Sequence, residues 1–247
     1  MQLAEGIVIK ANKYQENSKV LTIVSPQGTY TCLARAASKL KSKNYSYSQT
    51  LTKIGFQISK SKRNSFDILT TGTVINNYHQ IKENYAKLAS TLIIFDLTYH
   101  LSVHIDDFFT LYNFLDVTLE RLESTNYYKY YEIIFRLKLL FLLGVGPTFS
   151  KCVNCGKKEQ FMFFDFYGGG MKCKECTGDE KKIYRGDFLQ TIQTLYNTKI
   201  ENIDDNLLAQ LPNHLGFINE FLDAYYEHFL GFVSKARDIL DKVAMSK

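Results

Sequence analysis

Four cysteines form the most chemically specific pattern in the chain. Residues 152–176 read CVNCGKKEQFMFFDFYGGGMKCKEC, two C-x-x-C pairs with 17 residues between Cys155 and Cys173. A C-x-x-C turn presents two thiolates to one side of an ion, and a second such turn completes a tetrahedron. Cys152, Cys155, Cys173 and Cys176 are therefore the expected ligands of a Zn²⁺ ion. Four thiolates leave no position open for water, so the expected role is structural and not hydrolytic. Gly156 suits the first turn, FMFFDFY reads as a strand, and Gly168-Gly169-Gly170 returns the chain to Cys173, which together describe a zinc ribbon. The competing reading is a knuckle that holds no metal, or one oxidised to disulfides. Cys32 stands apart in a strand-like stretch and reads as a small buried hydrophobe rather than a reactive thiol.

Other residues capable of chemistry do not assemble into a catalytic pattern. His100 and His104 are spaced i, i+4, as metal pairs can be, but HLSVH lacks the metalloprotease glutamate, and a half-exposed helix face is the simpler reading. The pairs Asp106-Asp107 and Asp204-Asp205 sit where helices begin, where acids usually cap. The sequence contains no G-x-x-x-x-G-K-[ST] and no G-x-G-x-x-G, so neither phosphate-binding loop is expected. An enzyme is not expected.

The second strong feature is charge. Residues 1–80 hold eleven Lys/Arg against three acids, while the remainder holds nineteen against twenty-two. An excess of +8 confined to the first third points to a polyanion partner. It is densest in LARAASKLKSK (33–43), where Arg35 ends a strand and Lys39, Lys41 and Lys43 follow in a flexible loop of small residues. Tyr45 and Tyr47 come next. Cations at intervals attract a phosphate backbone, and aromatic faces can stack on bases. Lys10, Lys13, Lys19, Lys53, Lys60, Lys62 and Arg63 would add to such a surface if the fold brings them together. The bland alternative is an ordinary exposed loop. The ribbon lysines Lys151, Lys157, Lys158, Lys172 and Lys174 are offset by Glu159, Asp165 and Glu175.

These side chains need a scaffold, and hydropathy periods outline it. GIVIKA (6–11), KVLTIVS (19–25), TYTCLARA (29–36), TKIGFQIS (52–59) and SFDILTTGTVINNY (65–78) are β-branched, aromatic and partly alternating, with turn residues between them. Five short strands suit a small closed barrel, which removes sheet edges. After residue 80 the period becomes helical. Tyr85, Leu88, Leu92, Phe95 and Tyr99 form one stripe, and Phe108, Leu111, Leu115, Leu119 and Leu122 another. Tyr130 to Leu143 is more uniformly apolar, hence central, and stops at Gly144-Val-Gly146-Pro147. Helices resume over Asp187–Tyr196, Asp204–Leu211, Leu215–Leu230 and Ser234–Met245. The N-terminal stretch lacks the pattern of a signal peptide, and no apolar run reaches the roughly 20 residues of a membrane span. A soluble, cytosolic protein is expected.

Several stretches resemble the RecO family of bacterial recombination mediators. EGIVIKANKYQENSKVLTIVSPQGTYTCLARAASKLKSK is similar to that family's opening strand, turn and basic loop. LKLLFLLGVGPTFSKCVNCG and FDFYGGGMKCKEC resemble its leucine-rich helix, Leu-Leu-Gly-hydrophobic-x-Pro step and cysteine knuckles, and YYEHFLGFVSKARDIL resembles its tyrosine-rich closing helix. The chain departs from the family at Ser234-Lys-Ala-Arg237, which is less basic than the usual Lys-Ser-Arg run.

The resemblance implies an α+β protein: an N-terminal OB-fold β-barrel over residues 1–80, then an α-helical domain over 81–247 with a zinc ribbon inserted at about 148–180. It implies binding of single- and double-stranded DNA, annealing of complementary strands, and loading of RecA, together with RecR, onto strands coated by single-strand binding protein. The C-terminal tail of that coat protein is a further implied partner, and the implied location is the cytoplasm, at the nucleoid. Arg35, Lys39, Lys41 and Lys43, helped by Lys10, Lys13, Lys19, Lys53, Lys62 and Arg63, are the expected DNA contacts. A rival from another class is a protein-interaction scaffold whose aromatic helical domain is the working surface.

Overall fold

The computed structural model describes residues 3–61, 65–176, 183–234 and 236. The expected Ser234–Met245 helix lies almost entirely outside the described residues. The chain divides into two compact units, Met1–Ser124 and Thr125–Lys247.

The first unit begins with β1 (Ala4–Tyr14), β2 (Ser18–Ser25), β3 (Gly28–Ala34), β4 (Thr52–Ser59) and β5 (Asp67–Asn76). They close a barrel in the order β1-β2-β3-β5-β4, with β1 returning to β4. All pairings are antiparallel except the short β3–β5 contact at Cys32↔Asp67 and Leu33↔Ile68. That order is the OB-fold arrangement. Strand β1 serves both neighbours because it is long and bulged between Val8 and Lys10. Val8, Leu21, Ile23, Cys32, Ile54, Phe56 and Leu69 fill the interior. Cys32 is the buried hydrophobe expected of it, and burial pushes its thiol up to about 12.

Two strands end sooner than their composition suggests. Strand β3 stops at Ala34 because Ala36 adopts φ 54°, and β5 stops at Asn76, whose Oδ1 accepts the Tyr78 N–H at 2.9 Å while Tyr78 turns to φ 48°. Helices α1 (His79–Glu83), α2 (Tyr85–Leu101) and α3 (Phe108–Ser124) follow within the same unit. The Asn84 carboxamide accepts the N–H groups of Ala86 and Lys87 and starts α2. Helix α3 lies against β2 and β3. Buried Lys87 donates to the Glu123 carbonyl at 3.0 Å, a cation on the C-terminal turn of α3.

The second unit is built on α4 (Tyr128–Leu142), buried continuously from Tyr130 to Leu140. Its end is the Gly stop read from sequence: Gly144 takes φ 71°, and the Val145 N–H reaches back to the Leu140 carbonyl at 3.1 Å. A small sheet follows: β6 (Phe161–Asp165), β7 (Gly170–Cys173) and β8 (Ile183–Tyr184), ordered β7-β6-β8. Helices α5 (Asp187–Asn197), α6 (Asp205–Gln210) and α7 (Leu215–Leu230) complete the unit. Helices α5 and α7 both pack on α4. Three charged groups on α4 are buried, and two are satisfied as follows. Arg136 donates to Asp223 at 2.5 Å and Asn219 at 3.2 Å, and Lys138 donates to the carbonyls of Tyr196 and Thr198, each at 2.6 Å. Lys138 thereby caps the end of α5.

Candidate nucleic-acid interface and metal centre

Six of the nine described basic residues in the first 80 lie in or beside the loop that follows β3. Lys13 and Lys19 face each other in the β1–β2 ladder, and Lys19 is in register with Ala34, the residue before Arg35. Like charges opposite one another on a ladder repel. Burial, and then the charge of Lys13, hold the Lys19 pKa below the usual lysine value. The Lys19 ammonium donates to the Ser48 carbonyl at 3.2 Å and to Gln49 Oε1 at 3.0 Å, and lies 5.6 Å from the Tyr45 ring centre. This draws the loop after β3 onto the β1–β2 hairpin. The Ser38 N–H to Asn17 carbonyl bond, 3.0 Å, makes the same connection.

The loop is not the flexible connector that its small residues suggest. Its backbone forms successive turns, Lys39 N–H to Ala36 O, Ser42 N–H to Lys39 O and Tyr45 N–H to Ser42 O, all between 2.9 and 3.2 Å. Asn44 donates to the Arg35 carbonyl at 2.7 Å and accepts a hydrogen bond from the Tyr47 hydroxyl. Tyr47 itself is buried in the barrel, its ring filling the space left by the missing side chain of Gly72. It is a plug, not a stacking face, which corrects the reading that paired it with Tyr45. Arg35, Lys39, Lys41, Lys43 and Lys13 are exposed, and none has a carboxylate partner among the described residues.

The other basic residues are placed differently. Lys10 lies with its ammonium 3.6 Å from the centre of the Tyr99 ring. Lys53 is in register with Ile7, about 20 Å back along β1 from Lys13 at strand spacing. Its ammonium is 2.7 Å from Asp116, 3.2 Å from Glu5 and 4.0 Å from Glu120. Burial opposes its charge, but the hydrogen bonds and charges of Asp116 and Glu5 outweigh that and keep its pKa raised. Tyr112 donates to Glu5 at 2.7 Å, and Tyr78 reaches Asp116 at 3.4 Å. This carboxylate nest was invisible in sequence because its members are up to 107 residues apart. Lys60 is exposed. Lys62 and Arg63 lie outside the described residues.

In the second unit the four cysteine sulfurs lie within 4.8 Å of one another, and Cys155 Sγ is 3.6 Å from Cys173 Sγ. Tetrahedral Zn–S bonds of 2.3 Å would place sulfurs about 3.8 Å apart, so the donor set fits a metal ion of that size. The first knuckle is a tight turn: the Gly156 N–H bonds the Cys152 carbonyl at 2.9 Å, with Gly156 at φ 76°. Burial disfavours a charged Cys152, but the N–H groups of Cys155, Cys173 and Asn154 prevail and lower its thiol to about 6. Strands β6 and β7 bring the second knuckle back, as FMFFDFY and the glycine run suggested.

The ribbon is tied to α7 by aromatic rings. Phe164 and Phe166 contact Phe221 at 5.3 and 5.9 Å between centroids, and Tyr184 contacts it at 5.1 Å. Lys157 pairs with Glu175, and Lys172 with Asp165 at 3.1 Å, so the local acids do neutralise ribbon lysines. His100 Nε2 is 3.6 Å from Asp96, and the cysteines are the one cluster of metal-ligating side chains among the described residues. Asp107 accepts the Thr110 N–H, and Asp204 the Leu207 N–H, so both acidic pairs supply caps. No described helix is long and apolar enough to cross a membrane.

An OB-like barrel followed by a helical unit with four clustered thiols defines the class: a barrel-and-bundle protein with a cysteine knuckle able to hold a metal ion. Within that class the chain belongs to the Recombination protein O family: residues 1–78 match the N-terminal model of that family and residues 82–236 its C-terminal model. It is 26% identical over 245 residues to the DNA repair protein RecO of Oceanobacillus iheyensis, covering 98% of this chain and 94% of that protein. It is likewise 26% identical over 245 residues to the DNA repair protein RecO of Bacillus cytotoxicus, covering 98% and 97%. Family membership gives the protein a role in DNA repair and recombination.

Proposed function

We propose that the protein is a non-enzymatic recombination mediator that binds single- and double-stranded DNA along the barrel rim and anneals complementary strands. The observation that carries this reading is the gathering of Lys13, Lys19, Arg35, Lys39, Lys41 and Lys43 around one ordered loop. Cations spaced along a strand release its counterions, and neutralising two strands together removes the repulsion that opposes pairing. No covalent step is required, and the exposed cations supply what annealing needs. Lys10 and, on this reading, Lys62 and Arg63 extend the surface.

In the cell the protein would work in the cytoplasm at the nucleoid, with RecR, to load RecA onto strands coated by single-strand binding protein, whose C-terminal tail is a partner. Zn²⁺ held by Cys152, Cys155, Cys173 and Cys176 would supply structural cross-linking alone, since four thiolates close its coordination sphere. The test is binding of a fluorescent single strand across a salt series. Changing Lys39, Lys41 and Lys43 together to Glu should lower the salt slope by about 2 to 3. An unchanged affinity and slope would remove the loop from the site.

A further inference from the structure

The Ser42 N–H to Lys39 carbonyl bond, 2.9 Å, closes a turn whose two central residues are Leu40 and Lys41. Leu40 is 79% exposed, and none of the described large hydrophobic side chains is more so. A lone exposed leucine is ordinary on a protein surface. This one stands at the apex of a turn with Lys39 and Lys41 exposed on either side. The root of the same loop is anchored: Ala37 and Tyr47 are buried in the barrel, Ser38 is bonded to Asn17, and Asn44 bridges Arg35 and Tyr47. Charge neutralisation alone would be served as well by a polar residue at the apex. An anchored apolar tip between cations has the form of the leucine and phenylalanine wedges with which proteins part base steps.

We propose that Leu40 enters a base step of duplex DNA and unstacks it while the flanking lysines hold the backbone. The inference rests on the reading of this rim as the DNA-binding surface. Pyrimidine–purine steps part most easily, so the wedge favours them.

The test uses the full chain and a duplex carrying 2-aminopurine at a central TpA step, whose fluorescence rises when its base unstacks. Wild type should raise the signal. Leu40→Ala should abolish the rise and bind about tenfold more weakly with an unchanged salt slope. Leu40→Met should keep the signal. Lys43→Ala should lower the slope by about 0.9 and keep the signal per bound complex. If wild type and Leu40→Ala bind with the same affinity and the same fluorescence, the wedge is refuted and the DNA-binding reading stands. If wild type binds a single strand but no duplex at low salt, the wedge alone falls, and if it binds neither, both fall.

Discussion

Replacing Lys53 by Met separates two roles that one lysine cannot hold at once. Its sequence position among the basic residues of the barrel makes a phosphate contact the expectation. Its surroundings make it the counter-ion of Asp116, at 2.7 Å, with side-chain exposures of 12% and 17%. Methionine fills the volume of the stem and leaves Asp116 without its cation. Removing one partner of a buried pair costs about 3 to 5 kcal/mol, and the partial exposure here favours the lower end, ~3 kcal/mol. At a urea slope of about 1.5 to 2 kcal/mol per molar, the unfolding midpoint of the first unit falls by roughly 1.5 to 2 M. Replacing both partners, Lys53→Met with Asp116→Leu, should recover at least half of that loss, because no stranded charge remains. Circular dichroism through a urea titration reads the stability, and binding of a single strand across salt reads the phosphate contact. The DNA salt slope should match wild type under conditions where the variant is folded. A Lys53→Met protein as stable as wild type whose slope drops by about 0.7 would overturn the reasoning and return Lys53 to the DNA surface.

Three further outcomes are expected. Cys173→Ser, or removal of metal with a chelator, should lower the melting temperature of the second unit by ~15 °C, since the ribbon loses the cross-link that sets its rings against Phe221. The DNA affinity of the folded variant should stay within about threefold of wild type, because the basic rim lies in the other unit. Burial, as the first cause, raises the phenols of Tyr78, Tyr225 and Tyr226 above the ordinary tyrosine value of 10.0. The folded chain then keeps protons that the unfolded chain releases, so stability falls as pH rises above about 10, by up to ~1.4 kcal/mol per unit for each group. Urea midpoints measured alongside tyrosinate absorbance check this, with the absorbance of these groups appearing only on unfolding. Gly72→Ala would set a Cβ 2.5 Å from the Tyr47 ring and should cost about 2 kcal/mol, displacing the plug beneath the basic loop. A variant with unchanged stability and unchanged DNA affinity would show that Tyr47 does not anchor the loop.

Much of the architecture is local and therefore readable from the chain alone. The three-to-four spacing of Leu111, Leu115, Leu119 and Leu122 reports which face of α3 is buried, because a helix repeats at a fixed interval, and the β-branched run KVLTIVS reports a strand, buried on both faces from Leu21 to Ser25. The knuckles are local too: four cysteines in two C-x-x-C pairs, with Gly156 and Gly169 at positive φ, mark a thiol cluster able to hold a metal ion before any fold is known. The Gly144 stop and the caps at Asp107 and Asp204 follow from a few neighbouring residues.

What each lysine and tyrosine touches is decided only in three dimensions. Lys13 and Lys53 are the same residue type in the same basic third, yet one is exposed beside Lys19 and the other is enclosed by carboxylates brought by α3. Tyr45 and Tyr47 are two residues apart in the loop, and only one is withdrawn into the barrel over Gly72. The reason is physical. The sequence by itself determines period, turn chemistry and the number of charges. Whether a charge meets water or another charge depends on residues as far as 107 positions away, which only the closed barrel and the helices packed on it bring within hydrogen-bonding distance.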